Sequence, residues 1–204
     1  MNILIHLIIA RKIYNRVDVR TRTTLNFPAF FIGNIWPDFD RQMASQPHDF
    51  EPAADAVSLM AERAAGLRTA GQFFKKIRKS FLMGNICHYL ADFCCFAHSK
   101  RFDGDWTQHY AYEFKMFLHI SEANRVKIYR SALSWRHQES IRIFLNKAQS
   151  FYLADTVDYT TDLAHAVNLG TIVMKRLSKF KSSCLAEEGI YELSQPAWQQ
   201  HVNI

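Results

Sequence analysis

His88 and Asp92 stand four residues apart, as do His109 and Glu113, and His98 lies between the two pairs. The composite reads H-x3-D-x5-H-x10-H-x3-E across residues 88–113. Imidazole nitrogen and carboxylate oxygen are donors that take a divalent cation at about 2.0–2.2 Å. On a helix, residues four apart leave the same face one turn from each other, so each pair offers two donors with no loop to reorganise. Taken singly, the first pair reads better as a hydrogen bond inside a core, and the second as an ordinary exposed helical pair. Taken together, the five point to bound metal. Carboxylates and imidazoles are costly to bury unless satisfied, and a cation does this more completely than one hydrogen bond. Zinc is the expected ion, with manganese or iron chemically admissible because no thiolate is in the set.

The elements that must carry these donors are helices. Hydrophobic residues make up 49% of the 204-residue chain and aromatics 14%, with only 7 Gly and 5 Pro, which suits long buried helices rather than short strands joined by turns. An apolar helix bearing His6 is expected over residues 3–16. Pro37 in the run Gly33-Asn34-Ile35-Trp36-Pro37-Asp38 disfavours helix at Trp36, which puts Asp38 on a loop. His48, between Pro47 and Pro52, is placed on a loop as well. An Ala-rich helix follows from about Ala53 to Ala65, then a long one from about Gln72 to Ala97 that carries His88 and Asp92 and has His98 near its end. The stretch Phe81–Leu90 is almost wholly apolar, which implies burial. Further helices are expected over 107–119, 121–131, 135–151 and 155–180. No internal repeat or alternating strand pattern is present, so the expected fold is a compact all-α, multi-helix single domain spanning residues 1–204.

With these residues in place the chain resembles the bacterial zinc-dependent phospholipase C family, which is related to the single-strand-specific zinc nuclease fold. The likeness rests on His88-Tyr89-Leu90-Ala91-Asp92, then His98, then His109 and Glu113 at their spacing. The more distant residues fall in family order too. His6 comes first, Pro37-Asp38 resembles the family's Gly-x-x-x-Pro-Asp loop, and His48 follows ten residues later. The likeness covers roughly residues 3–120. It implies two or three zinc ions per chain: one on Asp38, His48, His88 and Asp92, a second on His98, His109 and Glu113, and a third bridged by Asp92. In the family this last ion is completed by a histidine near the start, here His6, and by the amino group of a processed N-terminal Trp. This chain departs by beginning with Met1, five positions before His6. It departs again at Cys94-Cys95-Phe96, where the family has a polar pair followed by Pro. Cys95 is within reach of the ligand face but reads as a small buried hydrophobe.

The activity implied is hydrolysis of a phosphodiester, phospholipase C-like, by a metal-activated water. Clustered cations relieve the repulsion between anionic phosphate and nucleophile and clamp the attacking and leaving oxygens. Asp38 is the expected base for that water as well as a ligand. A phospholipid or other phosphodiester is the expected substrate. The competing readings are a single-strand nuclease or 3′-nucleotidase, which ranks nucleic acid below phospholipid, and a non-catalytic binding domain whose metal only holds helices together.

The remaining features are less specific. A net charge of +6 favours anionic partners without choosing among them. The cluster Lys75, Lys76, Arg78 and Lys79 reads as the solvated face of a helix, although it could meet an anionic membrane. Tyr89, Phe96, Phe102, Trp106 and Tyr110 surround the ligand segments, where most are expected to pack. His119, His137, His165 and His201 lack partners at metal spacing. The four cysteines form neither a disulfide framework nor a CxxC knuckle. The apolar opening has no basic n-region or cleavage site and is too short to span a bilayer. A cytoplasmic location, with peripheral membrane contact admitted, is therefore expected.

Overall fold

The computed structural model describes residues 1–67, 72–121, 133–136 and 139–179, and these are helical with no strand. In chain order the elements are α1 (Ile3–Arg16), α2 (Val19–Thr23), α3 (Phe27–Phe39), α4 (Arg41–Ala44), α5 (Phe50–Gly66) and α6 (Phe73–Phe93). A single 3-10 turn, Phe96–His98, leads on to α7 (Trp106–Leu118), α8 (Ile141–Ala154) and α9 (Tyr159–Lys179). Side chains cap several of these helices: Asn2 accepts from the Leu4 N–H, Asn26 from that of Ala29, and Asp105 forms a reciprocal capping box with Gln108. The helix expected over 121–131, together with His137 and His201, lies outside the described residues.

α6 is the central rod. From Leu82 to Phe93 every residue is buried, the polar Asn85, His88 and Asp92 along with the apolar side chains. α3 crosses it most intimately, α5 and α9 flank it, and α1 packs against α3 and α9 with Ile5, Ile9 and Ile13 fully buried. Two glycines permit the α3–α6 crossing. A Cβ at Gly33 would lie 2.2 Å from the Phe81 carbonyl oxygen, and one at Gly84 would lie 2.3 Å from that of Phe30. The helices therefore meet backbone to backbone, closer than any side chain allows.

Three local expectations are corrected. α3 does not stop before Pro37 but continues through it to Phe39, and the Asp40 N–H still bonds to the Trp36 carbonyl at 2.9 Å. Asp38 therefore rides on the last helical turn, not on a loop. α6 ends at Phe93, four residues short of Ala97, and His98 belongs to the 3-10 turn. Lys79 turns inward from the basic cluster: it is 5% exposed, and its ammonium donates to the carbonyls of Leu67 and Leu177, where α5 and α9 end. Among the described residues no helix is long and apolar enough to cross a membrane.

Candidate metal centre

The C-terminal half of α6 brings His88 and Asp92 to the deepest part of the molecule, both fully buried. α1 adds His6, α3 adds Asp38, the loop before α5 adds His48, the 3-10 turn adds His98, and α7 adds His109 and Glu113. All eight residues singled out by spacing and resemblance thus converge. They fall into three groups, each with ligand atoms within 4.8 Å of one another: His6, His88 and Asp92; Asp38, His48 and His88; and His98, His109 and Glu113.

The protonation pattern shows what the first two groups require. His88 Nδ1 lies 2.9 Å from the Asn34 carbonyl oxygen, and His48 Nε2 lies 3.2 Å from that of Met43. A carbonyl only accepts, so these outer nitrogens carry the protons and the inner nitrogens present lone pairs. Those inner atoms, His88 Nε2 and His48 Nδ1, stand 3.3 Å apart, and each is 3.2 Å from Asp92 Oδ2. Two lone pairs and a carboxylate facing one point repel one another until a cation or additional protons occupy it. His6 adds to the same demand. Its ring stacks on His88 at 3.9 Å between centroids, yet neither of its nitrogens makes a hydrogen bond, although Nε2 is 3.3 Å from Asp92 Oδ1. Asp38 Oδ2 is likewise buried without a partner, while its Oδ1 is 3.6 Å from His88 Nε2. Unpartnered nitrogen and oxygen atoms of this type, with the Asn34 and Met43 carbonyls fixing the tautomers from behind, fit a divalent cation.

In the third group Glu113 Oε1 is 2.9 Å from His109 Nε2 and 3.3 Å from His98 Nε2. The residue missed by sequence reasoning is Met1. Its α-amino group projects between this group and Asp92, at 2.6 Å from Asp92 Oδ1, 2.9 Å from His98 Nε2 and 3.3 Å from Glu113 Oε1. This is the position that the resemblance gives to the amino group of a terminal Trp. The available signal was the short distance in sequence to His6, little more than one helical turn. Cys95 is fully buried but belongs to none of the groups. Cys87 and Cys94 are buried free thiols as well. His119 stacks on Tyr159, and His165 pairs with Asp155, both away from the centre.

The electrostatics follow from burial. Burial opposes the charge on the Met1 amino group, but Asp92 and Glu113 outweigh it and push its pKa up to about 11. Burial would raise Asp92, yet the Met1 ammonium and then His98, His6 and His88 hold it well below the usual carboxylate range. Burial, reinforced by His88, pushes His6 down to about 3 and so keeps the ring neutral, the form that ligates metal. Asp38 is raised, burial being the main cause. A carboxylate that is partly open to solvent and raised in this way is suited to taking a proton.

Over residues 5–162 the chain matches the family described as zinc-dependent phospholipase C, a stretch that takes in every side chain of the centre. No curated protein and no solved structure matches it.

Proposed function

The chain belongs to the zinc-dependent phospholipase C family, and from that premise we propose that it is a zinc-dependent phosphodiester hydrolase acting on phospholipid, with two or three ions per chain. The observation that carries the reading is the convergence of the lone pairs of His48 and His88 on Asp92, an arrangement that calls for a cation. Asp38, His48, His88 and Asp92 would hold one ion, and His98, His109 and Glu113 a second. Asp92, His6 and the Met1 amino group, the last only on giving up a proton to become an amine, would hold a third. Zinc in such a centre would supply Lewis acidity to a phosphoryl oxygen and lower the pKa of water to about 7.

The remaining work falls to this chain's residues. Asp38 has one oxygen directed at His88 and the other without a partner. The free Oδ2 accepts the proton of the attacking water, and its raised pKa makes that acceptance more favourable than at an ordinary surface aspartate. The carbonyls of Asn34 and Met43 hold the two imidazoles in the ligating tautomer throughout the cycle. α7 supports a lipid substrate: on the helix that carries His109 and Glu113, Trp106, Tyr110, Phe114 and Leu118 recur every four residues and are 60–74% exposed. Such a stripe can meet acyl chains or the headgroup boundary of a bilayer.

The test is turnover of phosphatidylcholine vesicles and, separately, single-stranded DNA in zinc-supplemented buffer. Release of diacylglycerol, abolished by a chelator and restored by zinc, is the expected result. Turnover of DNA alone would replace the reading by a nuclease. Turnover of neither, with zinc bound, would make the metal structural.

A further inference from the structure

Asp162, in the first turn of α9, is a fully buried carboxylate that the centre above does not use. Its Oδ2 accepts from the Phe96 backbone N–H at 2.8 Å and from the Tyr112 hydroxyl at 2.9 Å, and its Oδ1 accepts from the Tyr152 hydroxyl at 2.8 Å. One side chain thus joins four elements: the 3-10 turn, α7, α8 and α9. Two of these carry the third ligand group. Phe96 opens the turn that presents His98, and Tyr112 is the neighbour of Glu113 and three residues beyond His109.

Of the thirteen residues of α7 only Glu113 and Met116 are buried, with Tyr112 and Phe117 partly buried against the core, and its exposed apolar stripe faces away from it. To this packing the bond from Tyr112 to Asp162 adds a directional constraint that apolar contact lacks. The turn is in the same position. Cys94 and Cys95 precede it without side-chain hydrogen bonds, and the Phe96 N–H finds its partner across the molecule on α9.

We propose that Asp162 is a positioning residue for the His98, His109 and Glu113 group: by accepting from Phe96 and Tyr112 on one oxygen, it sets the distance between the turn and α7 at which the two imidazoles and the carboxylate can share an ion. The assignment rests on the zinc-binding reading above. Tyr152 reaches the other oxygen of the same carboxylate but lies on α8, which carries no ligand. It therefore contributes to stability without setting the ligand geometry.

That difference supplies the test. Tyr112→Phe, Tyr152→Phe and Asp162→Asn proteins are compared with the unsubstituted chain for zinc ions per chain, zinc affinity by competition with a chromophoric chelator, and melting temperature. Tyr112→Phe is expected to weaken one ion, that of the His98, His109 and Glu113 group, about tenfold, the scale on which losing a contact that orients a ligand acts. Tyr152→Phe is expected to lower the melting temperature while leaving zinc affinity unchanged. Asp162→Asn, which offers an amide to three donors, is expected to lose that ion. An unchanged affinity in Tyr112→Phe, or an equal loss in Tyr152→Phe, would overturn the assignment and leave the hydrolase reading standing. An unsubstituted protein that binds no zinc would overturn both.

Discussion

In neutral His48 and His88 the inner nitrogens have no proton to offer each other, because the outer ones donate theirs to the carbonyls of Met43 and Asn34. This tautomer assignment is the residue-scale inference on which the metal reading depends, and it separates ligand from base at Asp38. Asp38→Asn keeps one oxygen for the ion but cannot take a proton, so activity should fall by about 10²-fold or more while zinc per chain is retained. Loss of zinc and activity in equal proportion would remove the base role. Acid behaviour is set by Glu113 and Asp92. Burial would raise Glu113, but bonds from His109 and His98 lower it, and Asp92 is lowered by the Met1 ammonium and the histidines. A carboxylate depressed in the folded state stabilises fully above its unfolded pKa of about 4, and that stability is lost as the pH falls. In chelator, melting temperatures should therefore drop as the pH is taken from about 5 towards 3, with a flatter profile for Glu113→Gln. A parallel profile for that variant would contradict the assigned shift.

At the scale of elements the centre is built by one close crossing. α3 delivers Asp38 and the Asn34 carbonyl to α6 because Gly33 and Gly84 let the backbones touch. Gly84→Ala places a methyl group against backbone that cannot swing aside, and it should cost roughly 3 kcal/mol, the upper end for overpacking. It should weaken zinc binding as well, since His88 is one turn farther along. Chemical denaturation and zinc titration of the same variant check both. Much of this layer was legible in sequence. The i,i+4 spacing of His88 with Asp92 and of His109 with Glu113 specifies donor pairs whatever the neighbouring helices do. The apolar run around His88 announced its burial. Other features were not legible, for definable reasons. Pro37 argues for a break, but it costs one backbone bond and α3 recovers by the next turn. The end of α6 lies within an apolar stretch with no Gly or Pro to mark it, so the expected helix runs on to Ala97, beside His98, and misses the 3-10 turn. The tie from Asp162 spans 66 residues to Phe96, and no local pattern encodes a contact at that separation.

On the scale of the whole molecule, the proposed ligands come from α1, α3, the loop before α5, α6, the 3-10 turn and α7, so metal binding would be linked to folding. A cation that binds only the folded chain stabilises it by RT ln(1 + [L]/Kd), about 4 kcal/mol at a thousandfold excess over Kd. Zinc-loaded protein should therefore melt well above chelator-treated protein, and calcium, which prefers all-oxygen sites, should not substitute. The Met1 amino group belongs to this scale too, because it closes the centre from the far end of the chain. An acetylated amino group at Met1 cannot ligate, and it should reduce the metal bound by one ion. The most direct test of the central claim is elemental analysis of the purified, unsubstituted protein. Two or three zinc ions per chain, falling when His88 and Asp92 are replaced by Ala, is the result predicted. A protein that retains its fold with no divalent metal, even after dialysis against zinc, would contradict the account.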